Sequence, residues 1–274
     1  MNQPTIGFIG SGNMAQAIMG GLLKSDIPAS NILGSARTEA TLNKLKSTFG
    51  IQTTLNNIEV VQQSDVVFFA VKPDQLLAVC DEISEAVADK QPLLISVAAG
   101  VTEASLAKHL PTGVKIVRCM PNTPAMLQVG ASGLFANKAV NNDDKQLAER
   151  LLQAVGITVW VDDEALIHAV TAVSGSGPAY FFRFIEAMAT AGREQGLDES
   201  TSMQLTIQTA LGAAIMASRS DKTPTELREG VTSKGGTTAA ALKVFNENGL
   251  EKMVSDAMLA CSERSQELAK EMER

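Results

Sequence analysis

The sequence predicts an α/β domain on a mostly parallel sheet, followed by an all-α domain. Three observations predict it. Short apolar runs alternate with longer helical patterns as far as Asp162. A glycine turn directly follows the first apolar run, at Gly10-Ser11-Gly12. Beyond Asp162, strand-like runs almost cease. Alternation of this kind, with strands apolar on both faces, indicates a parallel sheet covered on each side by helices.

The predicted strands, in order, are residues 5–9, 31–35, 66–71, 93–97, 115–119, 132–136 and 158–160. Each is a short apolar run, such as Val66-Val67-Phe68-Phe69. The predicted helices between them are 14–24, 38–48, 75–87, 103–110 and 143–152. Residues 163–171 read as a helix with Asp162 or Asp163 as N-cap and acids in the first turn. The turn Ser174-Gly175-Ser176-Gly177-Pro178 then hands over to a long helix from about Ala179. Ala, Leu, Met and Gly crowd residues 181–192 and 203–216. Helices apolar on most faces are buried, in a larger core or between subunits. A helix-only segment of this length cannot hide that surface alone, so an obligate dimer through this half is expected; a monomeric helical domain packed on the first is the alternative. The expected domains are 1–162 and 163–274.

Composition excludes several classes. Of the 274 residues, 45% are hydrophobic and 19% charged, which permits a substantial core. A net charge of −7 and the lack of a basic stripe argue against nucleic acid as a partner. Cys80, Cys119 and Cys261 form no CxxC pair, and with only His109 and His168 they make no metal-ligand set. The apolar runs are too short to span a bilayer, so no membrane association is expected. Met1-Asn2-Gln3-Pro4 leads into the first strand without the features of a cleavable leader, so a soluble cytoplasmic protein is expected.

The run Ile6-Gly7-Phe8-Ile9-Gly10-Ser11-Gly12-Asn13-Met14-Ala15 has the form strand, G-x-G-x-x-A, helix. Gly10 permits the tight turn, Gly12 admits a pyrophosphate to the backbone, and Ala15 lets helix and strand pack closely. The anion would rest on the helix start at Asn13 and Met14. This is the fingerprint of a Rossmann dinucleotide-binding domain. An NAD enzyme places an acid on the ribose about 20 residues after the fingerprint. Here the segment reads Ser35-Ala36-Arg37-Thr38, all without acid. Arg37 offers a planar guanidinium to a 2′-phosphate, so NADP(H) is favoured over NAD(H), the alternative being a solvated loop arginine. Further strand ends carry Ala70-Val71-Lys72-Pro73, Ala98-Ala99-Gly100 and Arg118-Cys119-Met120-Pro121-Asn122-Thr123-Pro124. Small and polar residues there suit a ligand crossing the sheet edge, and Ala70, Val71, Lys72, Pro73, Ala98, Gly100 and Asn122 are candidate cofactor contacts.

A second candidate site is Val231-Thr232-Ser233-Lys234-Gly235-Gly236-Thr237-Thr238, before a helical pattern that begins near Ala239. Glycines converge backbone N–H groups, and a helix start adds a positive dipole end, so the segment suits a small carboxylate. A plain helix start capped by Ser or Thr is the other reading. Neither histidine has a triad-like context, and no lysine follows Gly175-Ser176-Gly177 as it does in 3-hydroxyacid dehydrogenases. An imine fits this lack of a strong acid or base, because a protonated C=N carbon already accepts hydride and chiefly needs positioning.

These motifs together closely resemble pyrroline-5-carboxylate reductase over nearly the whole chain: Gly7 to Ala15, Ala70 to Pro73, Arg118 to Pro124, Ser174 to Tyr180 and Val231 to Thr238. The resemblance implies NAD(P)H-dependent reduction of 1-pyrroline-5-carboxylate to L-proline, the last step of proline biosynthesis. It implies a helical C-terminal domain that interlocks with a second subunit, in dimers that commonly form decamers. By position, Ser233, Gly235, Gly236 and Thr237 would bind the carboxylate and Thr238 the ring nitrogen. Asn57 would sit beside the adenosine. Lys234 departs from the family's usual proline, adding a positive charge at the anion site. A 3-hydroxyacid dehydrogenase and a non-catalytic NADP(H)-binding regulator are the competing readings.

Overall fold

Eight strands form one sheet in the order β3-β2-β1-β4-β5-β6-β7-β8 in a computed structural model that describes residues 3–272. They are β1 (Ile6–Ile9), β2 (Ile32–Ser35), β3 (Gln52–Thr54), β4 (Val66–Phe69), β5 (Leu93–Ser96), β6 (Ile116–Met120), β7 (Gly130–Ala136) and β8 (Gly156–Trp160). The strands from β3 to β6 in this order are parallel to one another. In register, Ile9 lies beside Ser35 on one side and Phe69 on the other, and Phe69 beside Ser96. The carboxyl ends therefore share one edge. From β1 the chain builds outward on one side through β2 and β3, then crosses to β4 on the other. The crevice at this switch point is where an open α/β sheet binds its ligand.

Two apolar layers sandwich the sheet. On one face α1 (Asn13–Lys24), α2 (Glu39–Phe49) and α6 (Asn142–Gln153) bury Ile18, Leu45 and Leu151 against Phe8 and Phe68. The rings of Phe8 and Phe68 stack at 4.9 Å. On the other face α3 (Asn57–Gln63), α4 (Pro73–Lys90) and α5 (Glu103–Ala107) bury Val60, Leu76 and Leu106 against Ile9, Val67 and Phe69. Each fully buried Phe or Leu contributes about 1.5–3 kcal/mol.

The sheet is mostly parallel, as expected, and the structure adds to the sequence reading at several elements. β7 runs antiparallel to β6. The intervening loop, 121–129, is shorter than the dozen or so residues a parallel crossover requires. β3 and α3 carry no strong apolar run and were not predicted: β3 is Gln-Thr-Thr, and α3, seven residues long, buries Val60 and Val61 with Ile58 packed beside them. Asn56 sets the start of α3 by accepting from the N–H groups of Ile58 and Glu59. The helix expected at 163–171 is α7 (Leu166–Val170), continued as a wider π turn over Thr171–Gly175.

The chain divides into two compact units. One runs to Ser176 and resumes at Ala260; the other is Gly177–Leu259. The division expected after residue 162 falls at the end of the sheet, whereas residues 163–176 pack with the first unit. There Arg118 of β6 pairs with Glu164 at 2.7 Å, and Glu164 also accepts from the N–H of Glu103. The second unit holds α8 (Gly177–Glu194), α9 (Glu199–Arg219), α10 (Pro224–Gly230), α11 (Thr237–Glu247) and the start of α12 (Leu250–Met272). Asp198 caps α9, and Thr223 and Glu226 form a reciprocal capping box on α10. Within this unit the Ser202 hydroxyl donates to the Ala189 carbonyl at 2.7 Å, joining α9 to α8.

Candidate active site

At the switch point lies a groove of about 630 Å³. The fingerprint loop forms its floor. Gly10 takes φ +100°, and a Cβ there would come within 2.6 Å of the Ala70 carbonyl oxygen. The loops after β1 and β4 thus touch backbone to backbone, leaving a cradle that any side chain would fill. Gly12 is the N-cap of α1 and no side chain caps that helix. Its first-turn N–H groups are the donors such a cradle needs for a pyrophosphate. The residues present therefore fit a dinucleotide.

Of the residues expected at the cofactor, the groove brings together Gly10, Gly12, Ser35, Arg37, Asn57, Ala70, Val71 and Lys72. Arg37 and Lys72 line it with two cations. The Ser35 hydroxyl donates to Asn57 Oδ1 at 2.7 Å, and Asn57 Nδ2 donates to Glu82 Oε2 at 2.9 Å. Ser35 is buried, so this chain of bonds fixes the end of β2 against α3 and α4. Glu82 and Asp74 were not anticipated. They belong to one face of α4 with Gln75, Ala78 and Val79, at the three- and four-residue spacing by which the helix pattern allowed them to be found.

The other expected cofactor residues lie outside this groove. Asn13 and Pro73 begin α1 and α4, one residue past lining positions. Met14 packs against the apolar core. Ala98 and Gly100 follow β5 on the same sheet edge, and Asn122 follows β6. Asn122, expected to offer its amide to the cofactor, spends that amide internally. Nδ2 donates to the Ser174 carbonyl at 3.0 Å, and Oδ1 accepts from the Ala131 N–H at 2.9 Å.

The second site lies in the helical unit. α11 starts at Thr237, two residues earlier than the pattern suggested, so Thr237 and Thr238 form its first turn. Its N-cap is Gly236 and no side chain caps it, so the capped-helix alternative is not realised. Gly235 takes φ +73°, and the N–H of Gly236 donates to the Ser233 carbonyl at 3.0 Å, closing a tight turn. A Cβ on Gly236 would collide with the Ser233 hydroxyl. Ser233, Gly235 and Gly236 thus converge at an uncapped helix start, an arrangement suited to a carboxylate.

Neither histidine lines the groove. His109 Nδ1 lies 2.8 Å from Asp81. His168 Nδ1 lies 2.9 Å from the Ser265 hydroxyl, and burial, with Arg118 nearby, holds its pKa below the usual value against the opposing pull of Glu164. Burial pushes the Cys80 and Cys119 thiols up to about 12, so neither supplies a thiolate near neutral pH.

Comparison with known proteins bears on both units. A family model described as pyrroline-5-carboxylate reductase dimerisation matches residues 164–268. A second, described as NADP oxidoreductase coenzyme F420-dependent, matches residues 5–100. The pyrroline-5-carboxylate reductase of Pseudomonas aeruginosa is 49% identical over 272 residues, covering 99% of each chain. Among solved structures, the pyrroline-5-carboxylate reductase of Coxiella burnetii superposes with a TM-score of 0.95 at 41% identity, over 98% of this chain and 99% of that one. The Plasmodium falciparum pyrroline carboxylate reductase with NADP bound gives 0.85 at 30% identity, over 98% and 99%.

Proposed function

The chain belongs to the pyrroline-5-carboxylate reductase family, and from that premise we infer the division of labour in its reaction. It is an NAD(P)-dependent oxidoreductase that reduces 1-pyrroline-5-carboxylate to L-proline, the last step of proline biosynthesis. The observation that carries the site assignment is that two helix starts have a glycine as N-cap and no side-chain cap, α1 behind Gly12 and α11 behind Gly236. One suits a pyrophosphate and the other a carboxylate.

When bound, the reduced dinucleotide supplies a hydride. Gly10, Gly12, Asn13 and Met14 hold its pyrophosphate through backbone N–H groups, and Ala70 to Pro73 with Ala98 and Gly100 border its path along the sheet edge. Asn57 and Ser35 shape the adenosine end. Arg37 sets a preference for NADPH over NADH by pairing with the 2′-phosphate. Ser233, Gly235, Gly236 and Thr237 bind the substrate carboxylate. Thr238 hydrogen-bonds the ring nitrogen, orienting the imine carbon for hydride. Lys234 adds a compact positive charge beside the carboxylate. No thiolate, histidine dyad or lysine is required, because an imine that binds already protonated at nitrogen presents an electrophilic carbon, and addition of hydride to it gives the neutral amine directly.

The family match indicates homo-oligomerisation through the helical region. Its extension to decamers, and residence in the cytoplasm, complete the proposal. No described helix is long and apolar enough to cross a membrane.

Loss of NADPH absorbance with pyrroline-5-carboxylate, with a 3-oxo acid and with neither tests the reading. Turnover of the imine alone is expected. Activity on the oxo acid alone would assign a hydroxyacid dehydrogenase, and NADPH binding without turnover of either would assign a regulator.

A further inference from the structure

The Asn122 amide and the π turn at Thr171–Gly175 make a second use of the loop after β6. Inside this turn the N–H of Ser176 reaches back five residues to the Thr171 carbonyl, at 2.8 Å. Were ordinary four-residue helical bonding to resume beyond the π turn, the Ser174 carbonyl would take the N–H of residue 178. Residue 178 is proline and has none. A carbonyl left without a partner inside a protein is costly. Asn122 supplies the missing donor from another part of the chain. Its orientation is unambiguous, since Ala131 N–H can only donate and Ser174 O can only accept. Asn122 is itself 8% exposed and stands between Pro121 and Thr123-Pro124, where the N–H of Ala125 closes a turn onto its carbonyl. Beside it, Met120 packs so tightly on Gly175 that a Cβ there would lie 2.6 Å from the Met120 methyl.

The turn so held is the one through which the chain leaves the first compact unit, at Ser176. The unit it enters carries the Ser233–Thr238 turn. π turns inserted into helices concentrate at functional sites. We propose that Asn122 is a positioning residue for the reaction: by donating to the Ser174 carbonyl, which Pro178 cannot serve, it fixes the turn at which the chain leaves the first compact unit and runs on into the helices that carry Ser233–Thr238. This rests on the functional reading above. It predicts an effect on turnover and none on cofactor affinity.

Asn122→Asp tests it. The carboxylate still accepts from Ala131 N–H, but an ionised oxygen now faces the Ser174 carbonyl with no proton to give. At about pH 8, kcat with pyrroline-5-carboxylate is expected to fall about tenfold or more, a loss that one strained polar contact can produce. The NADPH Kd, read by fluorescence quenching, is expected to stay within about twofold of wild type, well under the tenfold that 1.4 kcal/mol represents. The carboxyl regains a donor when protonated. The deficit against wild type is therefore expected to narrow as the pH is lowered toward about 5.5, approaching the range where a buried, crowded carboxyl takes up its proton. Asn122→Ser, which introduces no charge and is too short to reach Ser174, is expected to lose kcat without recovery in acid.

Three results would overturn the proposal. One is a severalfold weaker NADPH Kd with saturated kcat retained, which makes Asn122 a cofactor ligand. Another is a lowered Tm with unchanged kcat per folded enzyme, which makes it a purely structural bridge. The third is an Asp variant whose deficit does not change with pH. Wild-type turnover of pyrroline-5-carboxylate reports separately on the functional reading, and the ratio of variant to wild type reports on Asn122.

Discussion

At the scale of single residues, the site depends on a few side chains whose removal has separable consequences. Thr238 occupies the first turn of α11 without serving as its cap. Thr238→Ala is expected to lower kcat by about 5- to 150-fold, the worth of one hydrogen bond to a developing charge, while NADPH affinity is kept. A kcat within about twofold of wild type would reduce Thr238 to a helix-start residue. Arg37 lines the dinucleotide groove on its exposed side. Arg37→Asp is expected to raise the KM for NADPH far more than that for NADH, because the carboxylate repels a 2′-phosphate and suits a free ribose hydroxyl. Equal changes in both KM values would return Arg37 to the solvent. Placement that depends on residue type and spacing alone was legible in sequence: an arginine at the groove where an NAD enzyme has an acid, and hydroxyls among glycines at the start of α11. The destination of Asn122 was not, because a side-chain amide serves a ligand or a buried carbonyl equally well, and Ser174 lies 52 residues away in the chain.

At the scale of elements, the glycine turn after β1 shows how a backbone requirement is written in sequence. Only Gly10 both tolerates φ +100° and leaves room for the Ala70 carbonyl. Gly10→Ala is expected to weaken NADPH binding by about tenfold or more with the far-ultraviolet circular dichroism unchanged, since the Cβ displaces the loop after β4 and leaves the sheet intact. Unaltered NADPH affinity would show that the two loops part at little cost. The strong strands were predictable because β1, β4 and β5 are buried on both faces and so read as unbroken apolar runs. β3 at the sheet edge and α3, with seven residues, lack that signal. Their structure comes from neighbours: β3 pairs with β2, and α3 is started by Asn56 and packed over the sheet through Val60. The antiparallel turn of β7 was decided by loop length, which apolar periodicity does not register.

At the scale of the whole molecule, the helical unit leaves its apolar surface open. Phe181 is 70% exposed and Leu211 50% exposed, and few residues of α8 and α9 are buried. Such a surface on a single chain suits an interface between subunits, in line with the dimerisation family model that matches residues 164–268. Leu211→Asp is expected to shift the enzyme to a smaller species by light scattering and to lower its specific activity, because a carboxylate buried without a partner opposes association. An unchanged mass would place Leu211 outside the interface. By itself, the sequence determined the alternation of strands and helices, the dinucleotide fingerprint, the glycine–hydroxyl turn and the excess of apolar helix. These follow from local chemistry: periodicity, backbone freedom and residue type. Only the tertiary structure decided which strand ends meet at the switch point, that α11 begins uncapped at Thr237, and that Asn122 completes a π turn. Each of these depends on which distant groups satisfy a given donor, acceptor or apolar face, and that pairing exists only once the chain has packed.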